Sequence, residues 1–201
     1  MKFLAIDTSQ EYLTVIAKNE HKEKIIHLPD CASRHSVNLM DSVEDALLSV
    51  DLSIKELDFC AVTVGPGSFT GIRIGISTIK GLCSANKIPT LSLTSFDTLA
   101  YAKDNRAYLA LISAKHDNFY VCGYKNCEIS IEPCFITKKE LDKIKGYKKI
   151  SAKIIDGVKT EICDPSKGLY QACIKKADSL SDSESLAPLY LRLSQAEEGR
   201  L

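Results

Sequence analysis

The 201-residue chain is 45% hydrophobic and carries 26 basic against 26 acidic side chains, for a net charge of zero. Roughly 150 residues make a domain, so this is one large domain or two small lobes, with enough apolar surface for a core and too much for a disordered chain. The charge balance excludes nucleic-acid binding driven by a general basic excess, so any such contact is expected to be local or delegated to a partner.

The opening run, Lys2 to Asp7, reads as a buried strand. It begins like a secretion signal, but Asp7 interrupts it early and no small-residue cleavage site follows. No apolar run approaches the roughly 18 residues of a membrane span, so a cytoplasmic protein without membrane contact is expected. Thr8-Ser9-Gln10 is a turn. Strands over 12–18 and 24–28 complete a meander. Val37, Met40, Val43, Leu47 and Val50 recur at helical steps, with Leu39 and Ala46 widening the stripe and either Ser33 or Ser36 as cap. A strand over 58–64 follows, then a loop over 65–70. A helix is predicted from Gly71 to about Ala85, with Thr70 as its cap, Asn86 at its C-terminus and Pro89 as a stop. A strand over 89–93 and a short helix through Tyr101, capped by Thr94 or Ser95, end the first half.

The polar Lys103-Asp104-Asn105-Arg106 stretch marks a lobe boundary, dividing the chain into 1–103 and 104–201. Strands are predicted over 107–114, 118–124 and 128–131. They repeat the opening pattern of apolar strand, short turn (115–118) and strand, a slight internal duplication. The lysine-rich remainder lacks pattern until a helix over 166–177. A polar loop (179–185), a short extended segment (188–192) and a mobile tail (195–201) close the chain. The order β-β-β-α-β-α-β-α predicts an α/β fold, a mixed sheet with helices. Eight cysteines show no C-x-x-C spacing and are expected to be free thiols, mostly buried.

The strongest local feature is Gly65-Pro66-Gly67-Ser68-Phe69-Thr70-Gly71-Ile72-Arg73-Ile74-Gly75, between a strand and a helix. Such loops bind phosphate through backbone N–H groups at a helix N-terminus. Here neither G-x-x-x-x-G-K-[ST] nor G-x-G-x-x-G is present, and Pro66 removes a donor. A tight turn that sets the helix entry competes with the phosphate cradle. On the helix, Ile72, Ile76, Ile79 and Cys83 form a core face. Gly71, Gly75 and Thr78, with Leu82 beyond, form a small-residue face that suits close approach of another backbone, either the chain's own first helix or a partner.

Ala5-Ile6-Asp7-Thr8-Ser9, His35-Ser36, the Gly65–Gly75 run and Pro188-Leu189-Tyr190-Leu191-Arg192 resemble the TsaB (YeaZ) family. The resemblance covers 1 to about 101 closely and the second half loosely. It implies a two-lobed actin/Hsp70/sugar-kinase-like fold with a short second lobe. It also implies a non-catalytic part in making threonylcarbamoyl-adenosine in tRNA, beside the catalytic paralogue TsaD and the ATPase TsaE. Under it no cofactor is tightly bound, ATP is used by the wider complex, and tRNA is met only through that complex. The partner surface is expected on the first-lobe helices (Met40, Val43, Leu47, Gly71, Gly75, Thr78, Leu82), where a homodimer would also form. Gly65, Pro66, Gly67, Ser68, Thr70 and Arg73 are assigned to a structural loop.

Departures from catalytic relatives agree with that expectation. The H-x-x-x-H metal pair is reduced to His35 with Leu39, so no metal is expected. Asp7 and Thr8 remain as weak nucleotide-site candidates. The matching place in the second lobe reads Ile112-Ser113-Ala114-Lys115, with serine where a Mg²⁺-placing aspartate belongs. The alternative is an active ATPase or kinase of the same superfamily. Peptidase chemistry finds neither H-E-x-x-H nor G-x-S-x-G.

Overall fold

Strand β1 (Lys2–Asp7) is the axis of the first sheet. Its apolar run is buried on both faces, which is why it shows no alternation. It pairs antiparallel with β2 (Leu13–Asn19), which pairs with β3 (Lys22–Leu28), and parallel with β4 (Phe59–Thr63), which pairs with β5 (Thr90–Leu93). The order is β3-β2-β1-β4-β5. On one face Leu4, Ile6, Val15 and Val62 pack under α1 (His35–Ser49) and α2 (Phe69–Ser84). On the other, Phe3, Ala5, Phe59 and Leu91 meet Leu169, Ala172 and Cys173 of α5 (Pro165–Lys175). Full burial of each large apolar side chain contributes roughly 1.5–3 kcal/mol, so this doubly covered sheet is the main source of stability.

The computed structural model describes residues 1–104, 106–114 and 116–191. Asn105 of the expected boundary, Lys115 of the expected turn, Arg192 and the 195–201 tail lie outside the described residues. The second sheet contains β6 (Ala107–Ser113), β7 (Asn118–Lys125), β8 (Glu128–Thr137), β9 (Lys148–Ser151) and β10 (Glu161–Ile162), in the order β8-β7-β6-β9-β10. Counted from its own first strand, this repeats the first sheet, so the slight duplication in sequence is a full duplication of topology. Helix α3 (Asp97–Ala100) joins the sheets and α4 (Lys138–Leu141) follows β8. The chain then returns to the first lobe. Ser181 and Thr90 exchange backbone hydrogen bonds of 2.8 Å, Leu186 enters the first core, and the Leu189 N–H donates to Val64 O at 2.8 Å.

Several local expectations are corrected. Neither Ser33 nor Ser36 caps α1, whose N-cap is Arg34 without a side-chain bond. Helix α2 starts two residues before Gly71, and Ser68 rather than Thr70 caps it, accepting from the Gly71 N–H. Its C-cap is Ala85, not Asn86. Neither Thr94 nor Ser95 is the N-cap of α3, which is Phe96 without a side-chain bond, although Thr94 and Asp97 exchange hydrogen bonds just before the helix. The lysine-rich stretch holds α4, β9 and β10, elements too short for periodicity to register. Strand β8 runs six residues beyond the expected end. Among the described residues no helix is long and apolar enough to cross a membrane.

Candidate functional site: the interlobe cleft and the α2 loop

A cleft of about 950 Å³ lies between the lobes. Its first-lobe wall includes Tyr12, His27, Ser68, Phe69 and Ser95; its second-lobe wall includes Ser113, Tyr120, Ser151 and Lys153. Lys153 Nζ reaches Glu11 Oε2 at 2.7 Å, an exposed ion pair from one lobe to the other.

Asp7, at the end of β1, is fully buried. Its Oδ1 accepts from the Ser9 N–H at 2.8 Å and its Oδ2 from the Tyr12 hydroxyl at 3.2 Å. Burial raises its pKa above the ordinary carboxylate value, against the opposing pull of those hydrogen bonds. Burial and the adjacent Asp7 push the Tyr12 hydroxyl well above its usual range, so it remains a donor. Tyr12 lines the cleft and stands between Asp7 and any occupant. His35, the first residue of α1, is buried too, with Nε2 2.9 Å from the Tyr12 carbonyl that it bonds. Among the described residues, no three His, Cys, Asp or Glu side chains converge as metal ligands would.

The glycine-rich loop spends its polar groups inward. Ser68 N–H donates to Ser9 O at 2.7 Å, Ser95 N–H to Gly65 O at 2.8 Å, Gln10 Nε2 to Pro66 O at 3.1 Å and Thr8 Oγ1 to Gly71 O at 2.7 Å. Ser95 Oγ meets Ser9 Oγ at 2.9 Å. A Cβ on Gly67 would lie 2.0 Å from Ser9 O, and one on Gly71 2.0 Å from Thr8 O. Only glycine lets this loop press onto the 7–9 turn. Gly65-Pro66 is a cis peptide, and Gly65 has φ of +111°. The loop therefore bolts α2 to β1.

Its outward residues hold the segment around Tyr190. Arg73 Cζ sits 3.7 Å above the Phe69 ring, and Arg73 Nε donates to the Tyr190 hydroxyl at 2.9 Å. Phe69 and Tyr190 stack with centroids 5.1 Å apart. Two motifs more than a hundred residues apart thus form one cluster. Thr70 is exposed and makes no cap.

The expected partner surface is reordered. Val43 and Leu47 are in the chain's own core. Gly71 and Gly75 are buried, and a Cβ on Gly75 would lie 2.6 Å from Thr8 Oγ1 and 3.3 Å from Val62 Cγ2. The glycine face thus abuts β1 and β4, neither the first helix nor a partner, because a helix seated this low on a sheet needs its small residues at the contact. Met40 is exposed, while Thr78 and Leu82 are half-buried. Val37 and Leu48, 64% and 68% exposed, join Met40 on the outer side of α1.

Sequence reasoning missed Tyr12 and Asp97. Asp97 is buried where the lobes join. Its Oδ2 accepts from Thr94 N–H and Oγ1, both at 2.8 Å, and its Oδ1 from Tyr124 at 3.1 Å and from Lys176, also at 3.1 Å. The one available signal was an aspartate three residues after Thr94, the capping-box spacing.

Two lobes with one strand order, facing each other across a cleft, make up an actin/Hsp70/sugar-kinase-like fold. A family model described as TsaD, tRNA N6-adenosine threonylcarbamoyltransferase, matches residues 14–197, and the chain belongs to that family, in its TsaB (YeaZ) branch. The tRNA threonylcarbamoyladenosine biosynthesis protein TsaB of Escherichia coli strain K12 is 32% identical over 135 residues, 65% of this chain and 58% of that protein. TsaB of Bacillus subtilis strain 168 is 34% identical over 117 residues, 58% of this chain and 50% of that protein. The chain thus spans little more than half of these curated relatives. A Pseudomonas aeruginosa structure, described as an uncharacterized protein with similarity to peptidase YEAZ, has the same fold. Its TM-score is 0.79 at 21% identity, over 95% of this chain and 99% of that one.

Proposed function

We propose that the chain is a non-catalytic subunit in the formation of threonylcarbamoyl-adenosine in tRNA, supporting the catalytic paralogue TsaD together with TsaE in the cytoplasm. The observation that carries this reading is the closure of Asp7, whose two carboxylate oxygens are spent on Ser9 and Tyr12 inside the protein. A carboxylate so placed offers nothing to a nucleotide-bound Mg²⁺, and Ser113 supplies no second one. ATP is consumed by the wider complex, and this chain holds no cofactor tightly.

The partner surface in this reading is the outer side of α1 and α2, carried by Val37, Met40, Leu48, Thr78 and Leu82. Exposed apolar residues on α1, flanked by the half-buried Thr78 and Leu82 of α2, suit a related helix pair on TsaD, and the same surface serves a homodimer when TsaD is absent. The test is reconstitution with TsaD and TsaE. Asp7→Ala is expected to join the complex and leave tRNA modification largely intact. Met40→Glu combined with Leu48→Glu is expected to stay folded and to lose TsaD binding. Steady ATP hydrolysis by the isolated chain, abolished by Asp7→Ala, would replace this reading with an active ATPase.

A further inference from the structure

The net charge of zero conceals an uneven distribution. Between residues 138 and 149 stand six lysines (138, 139, 143, 145, 148 and 149) against two acids, Glu140 and Asp142. The fold pins this stretch by its apolar residues. Leu141 is fully buried against Leu109, Leu111 and Val121, with Ile144 and Tyr147 packed at the margin of the same cluster. The lysines between them are exposed or half-buried.

Both acids are already engaged. The Glu140 carboxylate accepts from the Thr137 N–H and hydroxyl as the capping box of α4. Asp142 accepts from Lys138, and with Lys149 and Lys145 nearby its carboxyl is held below its ordinary value. Lys138 is thus the lysine bonded to Asp142, Lys145 and Lys149 act on it through their charge, and Lys143 acts on Glu140 in the same way. Lys148 is paired with Glu161. Lys139, Lys143, Lys145 and Lys149 have no ion pair among the described residues. Lys125 extends the patch, its Nζ 5.4 Å from the Tyr147 ring centroid. Such crowding of like charge costs free energy in isolation, and a polyanion relieves it.

The chemistry of the patch narrows the partner. From residue 107 to 191 the sequence has no arginine. Lysine ammonium groups act as point charges on phosphates, whereas the rigid planar fork that fixes two hydrogen bonds at once belongs to arginine. A patch built from lysine alone fits a phosphate backbone contacted for position rather than sequence. We infer that the 138–149 segment of the second lobe is a phosphate-contacting surface for RNA, so that this chain touches the tRNA directly within its complex. The inference rests on the tRNA-modification reading above for the identity of the RNA, and it revises the expectation that tRNA is met through partners alone.

The experiment uses the full chain assembled with TsaD. The patch variant combines Lys139→Gln, Lys143→Gln, Lys145→Gln and Lys149→Gln. The control removes four first-lobe lysines (Lys18, Lys22, Lys55 and Lys87) in the same way. Binding of an unmodified tRNA transcript and of polyglutamate is measured across a salt series, with thermal melting of each variant. With melting unchanged, the patch variant is expected to bind tRNA about tenfold more weakly near 0.15 M salt. Its log affinity against log salt should be shallower by about three, and the control should match the wild type. Equal tRNA affinity and slope in patch variant and wild type would overturn the inference. So would a loss confined to polyglutamate, which would assign the patch to an acidic protein surface. Modification by the wild-type assembly is scored separately. An assembly that modifies tRNA but binds it independently of these lysines rejects the patch and leaves the function standing. A chain that never supports modification rejects the function, while lysine-dependent tRNA binding would still support the patch.

Discussion

The two sheets share one strand order and differ in what covers them. The first is clad by two long helices on one face and by α5 on the other, so β1 and β4 are almost wholly buried. The second is covered only by two short helices, α3 against Tyr108, Ala110 and Ile150 and α4 against Leu109 and Val121, with a nine-residue connection from β9 to β10 where the first lobe places α2. Its strand β8 is half exposed. The same topology therefore serves two purposes. In the first lobe it is a packed platform whose loops are consumed in holding α2 and the closing segment. In the second it is a thin frame that carries charge on its surface.

If the first lobe is the rigid one, its glycine contacts should be its least tolerant points. Gly71→Ala puts a Cβ against the Thr8 carbonyl, and backbone cannot swing away as a side chain can. A loss of about 3 kcal/mol is expected, read by calorimetric melting. Gly81, on the same helix, has nothing within 4 Å of an added Cβ. Gly81→Ala should be neutral or stabilise by up to about 1 kcal/mol. Equal effects at the two positions would break the comparison.

The joint between the lobes comes next. Asp97→Ala strands the Tyr124 hydroxyl and Lys176 beside a cavity. About 2–3 kcal/mol should be lost in denaturant unfolding. If the lobes are cooperative the transition should stay single; separation into two transitions would show that the second sheet unfolds independently.

The smallest effects concern pH, and they have opposite signs in the two lobes. The folded Asp7 carboxyl titrates above its ordinary value of 3.8, so the native state binds the extra proton, and stability falls as pH rises from 3.8 through the raised value. Glu161, bonded by Lys103 and Lys148, titrates at about 2 against an ordinary 4.5. Its contribution is complete above 4.5 and is lost as pH falls through about 2. Asp7→Asn should flatten the first trend and leave neutral-pH melting unchanged or slightly raised. Glu161→Gln should flatten only the acid limb. Melting from pH 2 to 7 separates them, and a common response would deny that the two environments differ.

What the sequence determined by itself is the set of elements with strong local signals. The strands of the first lobe, the buried faces of α1 and α2 and the resemblance carried by the Gly65–Gly75 run were all legible. Periodicity reports which side of an element is apolar, and composition reports where a turn falls. What only the tertiary structure decided is which neighbour each face meets. The small-residue face of α2 reads equally well as a partner contact or an internal one, and the Thr8 carbonyl beneath Gly71 settles it. Tyr12 reads as a strand residue until its hydroxyl is found on Asp7. Phe69, Arg73 and Tyr190 carry no joint signal because 117 residues separate Arg73 from Tyr190. Strands β9 and β10, four and two residues long, depend on pairing, β9 with β6 and β10 with β9, rather than on any pattern of their own. Local free-energy preferences are written in neighbouring residues; contacts between distant segments form only when the whole chain has chosen its packing.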